Sequence, residues 1–158
     1  GGSSTITFSS IPSTYKHLQL RWIAKTDRAD TDDVVYMTFN SDIAAHYSWH
    51  ILRGNGTAAI AGASTSASNI GIQYGASGST GTTNIFTGGV LDVLEYANTN
   101  INKTVRSLQG LDLNGSGWIY LQSGNWRSTS AITSITLDQQ YGSNFQQYSS
   151  FALYGIRG

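Results

Sequence analysis

The sequence predicts an all-β domain, an antiparallel β-sandwich of jelly-roll type with about ten strands. Three observations carry that prediction. Runs in which apolar and polar side chains alternate recur along the chain, and alternation marks a strand with one face buried. Clusters of Gly, Asn, Ser and Thr separate the runs, and such clusters are turn chemistry. Many one-sided strands in one chain are buried most simply by two packed layers. The 158 residues suit a single domain over 1–158, large enough to bury roughly 70% of its unfolded surface without disulfide staples.

The first run, Thr5–Phe8 (TITF), reads as a short edge strand, and the only proline, Pro12, then breaks the pattern. In Tyr15–Lys25, Leu18, Leu20, Trp22 and Ala24 fall on one face and His17, Gln19 and Arg21 on the other, with Ile23 the single apolar residue on the polar side. The charge cluster Thr26–Asp33 (TDRADTDD) reads as a loop. Val34–Asn40 is the next strand, with Val35, Met37 and Phe39 on one face. Ser41–Ala45 fits one helical turn capped by Ser41 or Asp42. Tyr47–Arg53 is a further strand, in which Trp49 shares the parity of Tyr47 and Ile51 and is assigned to the core.

A small-residue-rich insertion occupies about 57–88. Within it only Asn69–Tyr74 reads as a strand. The alanines of Ala59–Ala67 permit a helix, but Gly62 and the Ser/Thr run oppose one. Gly75–Thr83 reads as an exposed loop of the kind that carries binding or assembly. Val90–Asn98 fits either a helical stripe or a strand. Gly88–Gly89 before it and Asn98–Asn102 after it are hairpin punctuation, which favours the strand. Lys103–Leu113 and Gly117–Ser123 form a hairpin around Asn114–Gly115, with Trp126 following in a polar turn. Ala131–Leu137 alternates, Tyr141–Ser150 is a loop, and Ser149–Ile156 closes the chain as an apolar strand expected to lie buried in a sheet.

Composition narrows the function. Nine Lys and Arg balance nine Asp and Glu, so the basic surplus of a nucleic-acid footprint is missing. No cysteine is present, which excludes a disulfide framework and thiolate metal sites. No apolar run approaches the ~18–20 residues of a membrane-spanning helix. Charged residues are only 11% of the chain, against about 25% in ordinary domains. Hydroxyl and amide side chains supply the polar surface instead, as is common in extracellular and virion-surface β-proteins. The nucleotide-binding glycine motifs and the nucleophile elbow are absent. The Gly1–Gly2 start, without Met, reads as a processed, trimmed or tagged end.

Four constellations are candidates for chemistry. Asp27, Asp30, Asp32 and Asp33 place four carboxylates in seven residues, and hard cations such as Ca²⁺ take several oxygens from a flexible loop. The spacing is not that of an EF-hand, and Arg28, Lys25 and Arg21 offer neutralisation in a solvated loop instead. His46 and His50 have i, i+4 spacing, but on a strand that leaves them ~13 Å apart, too far to chelate one ion alone. Asp92 and Glu95 are the other close acid pair. On a strand they point to opposite faces, which spoils a glycosidase pair and leaves a non-enzymatic protein as the expectation. Trp126 beside Arg127, with Tyr141 and Asn144 further on, has the aromatic and amide character that grips a sugar ring. The same residues suit a subunit interface, and core or hairpin packing is open for Trp126 too.

Three stretches carry a family resemblance. They are FSSIPSTYKHLQLRWIAKT (Phe8–Thr26), YSWHILRGNG (Tyr47–Gly56), and LEYANTNINKTVRSLQG, SGNWRSTSAITSITL and FALYGIRG within Leu94–Gly158. They resemble a family of bacteriophage virion structural proteins, over most of the chain except a variable 57–88 segment. The resemblance implies a β-sandwich exposed on the phage particle, as a capsid decoration protein, a head fibre or a distal tail-fibre domain. It also implies a homotrimer that contacts other virion proteins such as the major capsid or fibre proteins, and it brings no catalytic residues. A carbohydrate-binding module that recognises a host-surface glycan is the alternative.

Overall fold

The computed structural model describes residues 2–158; Gly1, part of the expected processed end, lies outside them. Eleven strands form: β1 (Thr5–Phe8), β2 (His17–Ala24), β3 (Asp32–Phe39), β4 (Tyr47–Gly54), β5 (Ala59–Ala67), β6 (Ile70–Ser77), β7 (Thr87–Leu94), β8 (Lys103–Asp112), β9 (Gly117–Trp126), β10 (Ile135–Gln139) and β11 (Ser150–Ile156). They build a four-stranded sheet in the order β1-β10-β3-β6 and a seven-stranded sheet in the order β11-β2-β7-β8-β9-β4-β5. Every pairing between strands is antiparallel. The all-β sandwich therefore forms, with one strand more than expected. The addition is β5, in the stretch where the alanines left helix open.

The core is made by the predicted alternations. Leu18, Leu20 and Trp22 of β2, Val35, Met37 and Phe39 of β3, and Leu91 and Val93 of β7 are buried in one cluster. Each such side chain contributes about 1.5–3 kcal/mol on leaving water. Asn114 and Gly115 have φ of 63° and 114°, and Leu113 N–H donates to Ser116 O at 2.8 Å. Two central residues at positive φ make the turn whose twist matches its strands.

Several local expectations change. No described residue is helical, and the turn at Ser41–Ala45 is not a helix. Asn40 and Ser41 have φ of 51° and 59°, left-handed values that cannot open a right-handed helix. Asp32 and Asp33 belong to β3 rather than to the loop before it. Gly88–Gly89 lies inside β7. A Cβ on Gly89 would sit 2.2 Å from the Trp22 ring, so this glycine clears space for an indole and does not turn the chain. The predicted strand at Ala131–Leu137 is regular only from Ile135, although Ile132 is buried and its N–H reaches Tyr96 O at 2.9 Å. The closing strand β11 pairs with β2 along its length but at the sheet's outer edge. Tyr154 is 49% exposed and Ile156 37%, so β11 is half-buried where full burial was expected.

The segment 57–88 departs most from its reading. It contributes the edge strand β5 and the buried strand β6, and of the expected loop Gly75–Thr83 the first part, Gly75–Gly78, is buried while Ser79–Thr83 lies at the surface. One edge of β6 has no partner strand, and unpaired edges are normally covered. Side chains of the large sheet cover this one. Gln122 Nε2 donates to Gly71 O (2.8 Å), Gln109 Nε2 to Gln73 O (3.1 Å) and Trp22 Nε1 to Gly75 O (2.7 Å). The period-two spacing of the acceptors is that of a strand edge, and it accounts for two glutamines buried inside the sandwich.

Candidate ligand and assembly surfaces

Trp126 is the last residue of β9, not part of a turn, and it is 2% exposed. Its ring lies 5.6 Å from Phe39 and stacks on Tyr47 at 6.3 Å, and its Nε1 donates to Asp42 Oδ2 at 2.7 Å. The same Asp42 oxygen pairs with His46 Nδ1 at 2.8 Å. Burial pushes the Tyr47 hydroxyl up to about 12, and that hydroxyl donates to Asp42 O at 3.0 Å. Arg127 donates to Tyr47 O and Ala45 O, which pins the chain before β4. Opposite Trp126 in register, the buried Lys103 gives its ammonium protons to the carbonyls of Asn98, Ile101 and Thr129. This corner is sealed, and no face of the Trp126 indole is open to a sugar ring.

The acidic cluster and the Tyr141–Asn144 loop, distant in sequence, meet. Asp27 Oδ1 accepts the N–H groups of Ser143 (2.6 Å) and Asn144 (3.0 Å), and Oδ2 accepts Asn144 Nδ2. The N–H groups of Asn144 and Ser143 hold the Asp27 carboxyl below its ordinary range. Asp33 is buried and accepts from Thr26, Val34, Tyr141 and Gly142. Asp30 and Asp32 pair with Arg28 at 2.8 and 3.6 Å, and the Arg28 guanidinium lies 4.3 Å over the Tyr141 ring. The carboxylates thus serve as anchors for a loop. Among the described residues no three His, Cys, Asp or Glu side chains group to hold a metal ion.

The other pairs separate as their strands dictate. His50 lies exposed on β4, away from the His46–Asp42 pair. Asp92 bonds Gln19 and Arg106 on the outer face of the large sheet, whereas Glu95 sits past β7 and pairs with Lys16 at 2.6 Å.

Two surfaces escaped the sequence reading. The first is a cleft of about 700 Å³ at the free edge of β6, bordered by Tyr36, Trp49, Asn69, Gly71, Gln73 and Tyr141, with Ser64, Ser66 and Ser68 on its rim. Trp49 is half-buried here rather than in the core. Its Nε1 lies 3.8 Å, and Gln73 Nε2 3.0 Å, from where a Cβ on Gly71 would stand. The second is the outer face of the large sheet. Leu52, Leu121, Leu108 and Val90 fall in one register row across four strands. Leu52, Leu121 and Leu108 are 52%, 57% and 47% exposed, and Ile119 and Ile23 extend the apolar area in the next row. Strand alternation placed these side chains on a face assumed polar. Leu at a position opposite buried residues was the available signal.

Comparison with models of known families, with curated proteins and with solved structures finds no match to this chain.

Proposed function

We propose that this chain is a non-enzymatic structural protein of the bacteriophage virion surface, a capsid decoration protein, head fibre or distal fibre domain that works by assembling with copies of itself. The apolar row Leu52–Leu121–Leu108–Val90 carries this reading, together with the resemblance of the flanking sequence. Seven strands about 4.8 Å apart and about eight residues long at ~3.3 Å each give a face of roughly 750 Å², close to the ~800 Å² per partner of a stable interface. A contact between this face and a different surface of the next copy closes a ring such as a trimer. The strand succession between sheets also supports a jelly roll. It runs small, large, small, large twice, small, large three times, small and large, with the β7–β8–β9 meander where a simple jelly roll has one strand.

Native mass spectrometry of the purified chain at micromolar concentration tests the assembly. A trimer is expected, with Leu121→Asp giving monomer at unchanged secondary structure. A monomeric wild-type chain, or imaging of the phage particle that places the chain nowhere on it, overturns the proposal. Recognition of a host-surface glycan is the second reading. Its anchor at Trp126 is buried, and the cleft beside Trp49 supports it instead.

A further inference from the structure

We infer that the cleft at the free edge of β6 is a binding site for a neutral oligosaccharide, with Trp49 as the stacking platform and Gly71 as its floor. This deepens the glycan-recognition reading and is independent of the assembly reading, which rests on the outer face of the other sheet. Two hydrogen-bond donors, Gln73 Nε2 and Trp49 Nε1, lie 3.0 and 3.8 Å from where a Cβ on Gly71 would stand, and among the described residues neither donates to an acceptor. Donors left free at one point are matched by the hydroxyl oxygens of a sugar. Trp49, Tyr36 and Tyr141 supply aromatic faces, and Asn69 adds an amide on the rim. Among the described residues that line the cleft none is charged, and Arg28, which lies over the Tyr141 ring, is already paired with Asp30 and Asp32, so an anionic ligand finds no free counter-charge there. The volume of about 700 Å³ lies within the range of small-molecule sites.

The site is also held in place. Gly71 O and Gln73 O are fixed by Gln122 and Gln109, so the floor does not have to order on binding. The β4–β5 register shifts between Tyr47 and Trp49, and Ser66 on the opposing strand has φ of 55°. Bulges re-aim side chains next to binding sites.

Titration of the ¹⁵N-labelled chain with hexasaccharides of α-1,4-glucose, β-1,4-glucose, β-1,4-mannose and β-1,4-N-acetylglucosamine, and with an anionic hexagalacturonate, tests the assignment through the indole N–H signals. The Trp22 and Trp126 indoles are internally bonded and serve as controls. A saturable shift of the Trp49 indole with at least one neutral sugar is expected, with none from hexagalacturonate. Affinity should fall by about tenfold or more in Trp49→Ala and in Gly71→Ala. The added methyl of Gly71→Ala meets the flexible end of Gln73 at 3.0 Å and stands at ordinary contact distance from Val34 Cγ1 (3.7 Å) and Trp49 Nε1 (3.8 Å), so this variant keeps the fold. No shift with any neutral hexasaccharide, equal binding of the anionic one, or unchanged affinity in a folded Gly71→Ala overturns the inference. The oligomer's mass is measured separately, so failure here leaves assembly standing.

Discussion

Trp126 and Trp49 sit on the inner side of the same sheet, in register with Tyr47 and Gly124 respectively on adjoining strands. Trp126 is enclosed by Phe39 and Tyr47, and its indole N–H is bonded to Asp42. Trp49 borders an open cleft, and its indole Nε1, unbonded among the described residues, lies 3.8 Å from where a Cβ on Gly71 would stand. The difference lies in what faces each ring. The large sheet has seven strands and the small one four, so an inward direction guarantees cover only where the small sheet extends. Over Trp126 the cover is β3 with the Asp42 turn. Near Trp49 it ends at the free edge of β6.

The largest test of that contrast is truncation of each ring. Trp126→Ala should cost about 3–5 kcal/mol in urea unfolding, the range for emptying a sealed aromatic site. Trp49→Ala should cost under about 1 kcal/mol, because water already reaches the ring. Equal costs would mean that Trp49 is core after all. Next, Gln122→Ala should lose about 1–3 kcal/mol by leaving Gly71 O unpaired on the β6 edge, and amide exchange should quicken in β6 rather than in β10. Protection unchanged in β6 would show that the glutamine caps do not fix the cleft floor.

The Asp27 anchor predicts a smaller effect, and one that depends on pH. Its carboxyl titrates below the ordinary 3.8 when folded, so the unfolded chain binds the proton more readily. Its stabilisation is complete above that ordinary value and is lost as pH falls through the lower folded one. Asp27→Ala should cost about 1 kcal/mol, reduced by the carboxylate's exposure, and flatten this acid limb of the stability curve. Amide signals of Ser143 and Asn144 that hold unchanged through the acid transition would break the link. Smallest of all, Leu121→Asp should move monomer stability by no more than about 0.5 kcal/mol while altering the oligomer's mass.

The sandwich was legible where alternation was strict. Leu18, Leu20 and Trp22, and likewise Val35, Met37 and Phe39, face the core as their period of two requires, and Asn114–Gly115 turns as its residue types demand. The β5–β6 region was not legible, because its alanines, serines and glycines carry little periodic contrast. There the strands are specified by long-range pairing, β5 on β4 and β6 on β3. Nor could the sequence bring Asp27 and Asp33 to the Tyr141–Asn144 loop, more than a hundred residues away.

By itself, then, the sequence determined which side chains share a face, where the main hairpin turns, and that charge plays a small part in this surface. These are local properties, set by the two-residue repeat of a strand and the φ preferences of Asn and Gly. Tertiary structure alone decided which faces are covered. Coverage depends on how many strands each sheet recruits and where the smaller one ends, and that is why one inward tryptophan closes a core and the other lines a cleft.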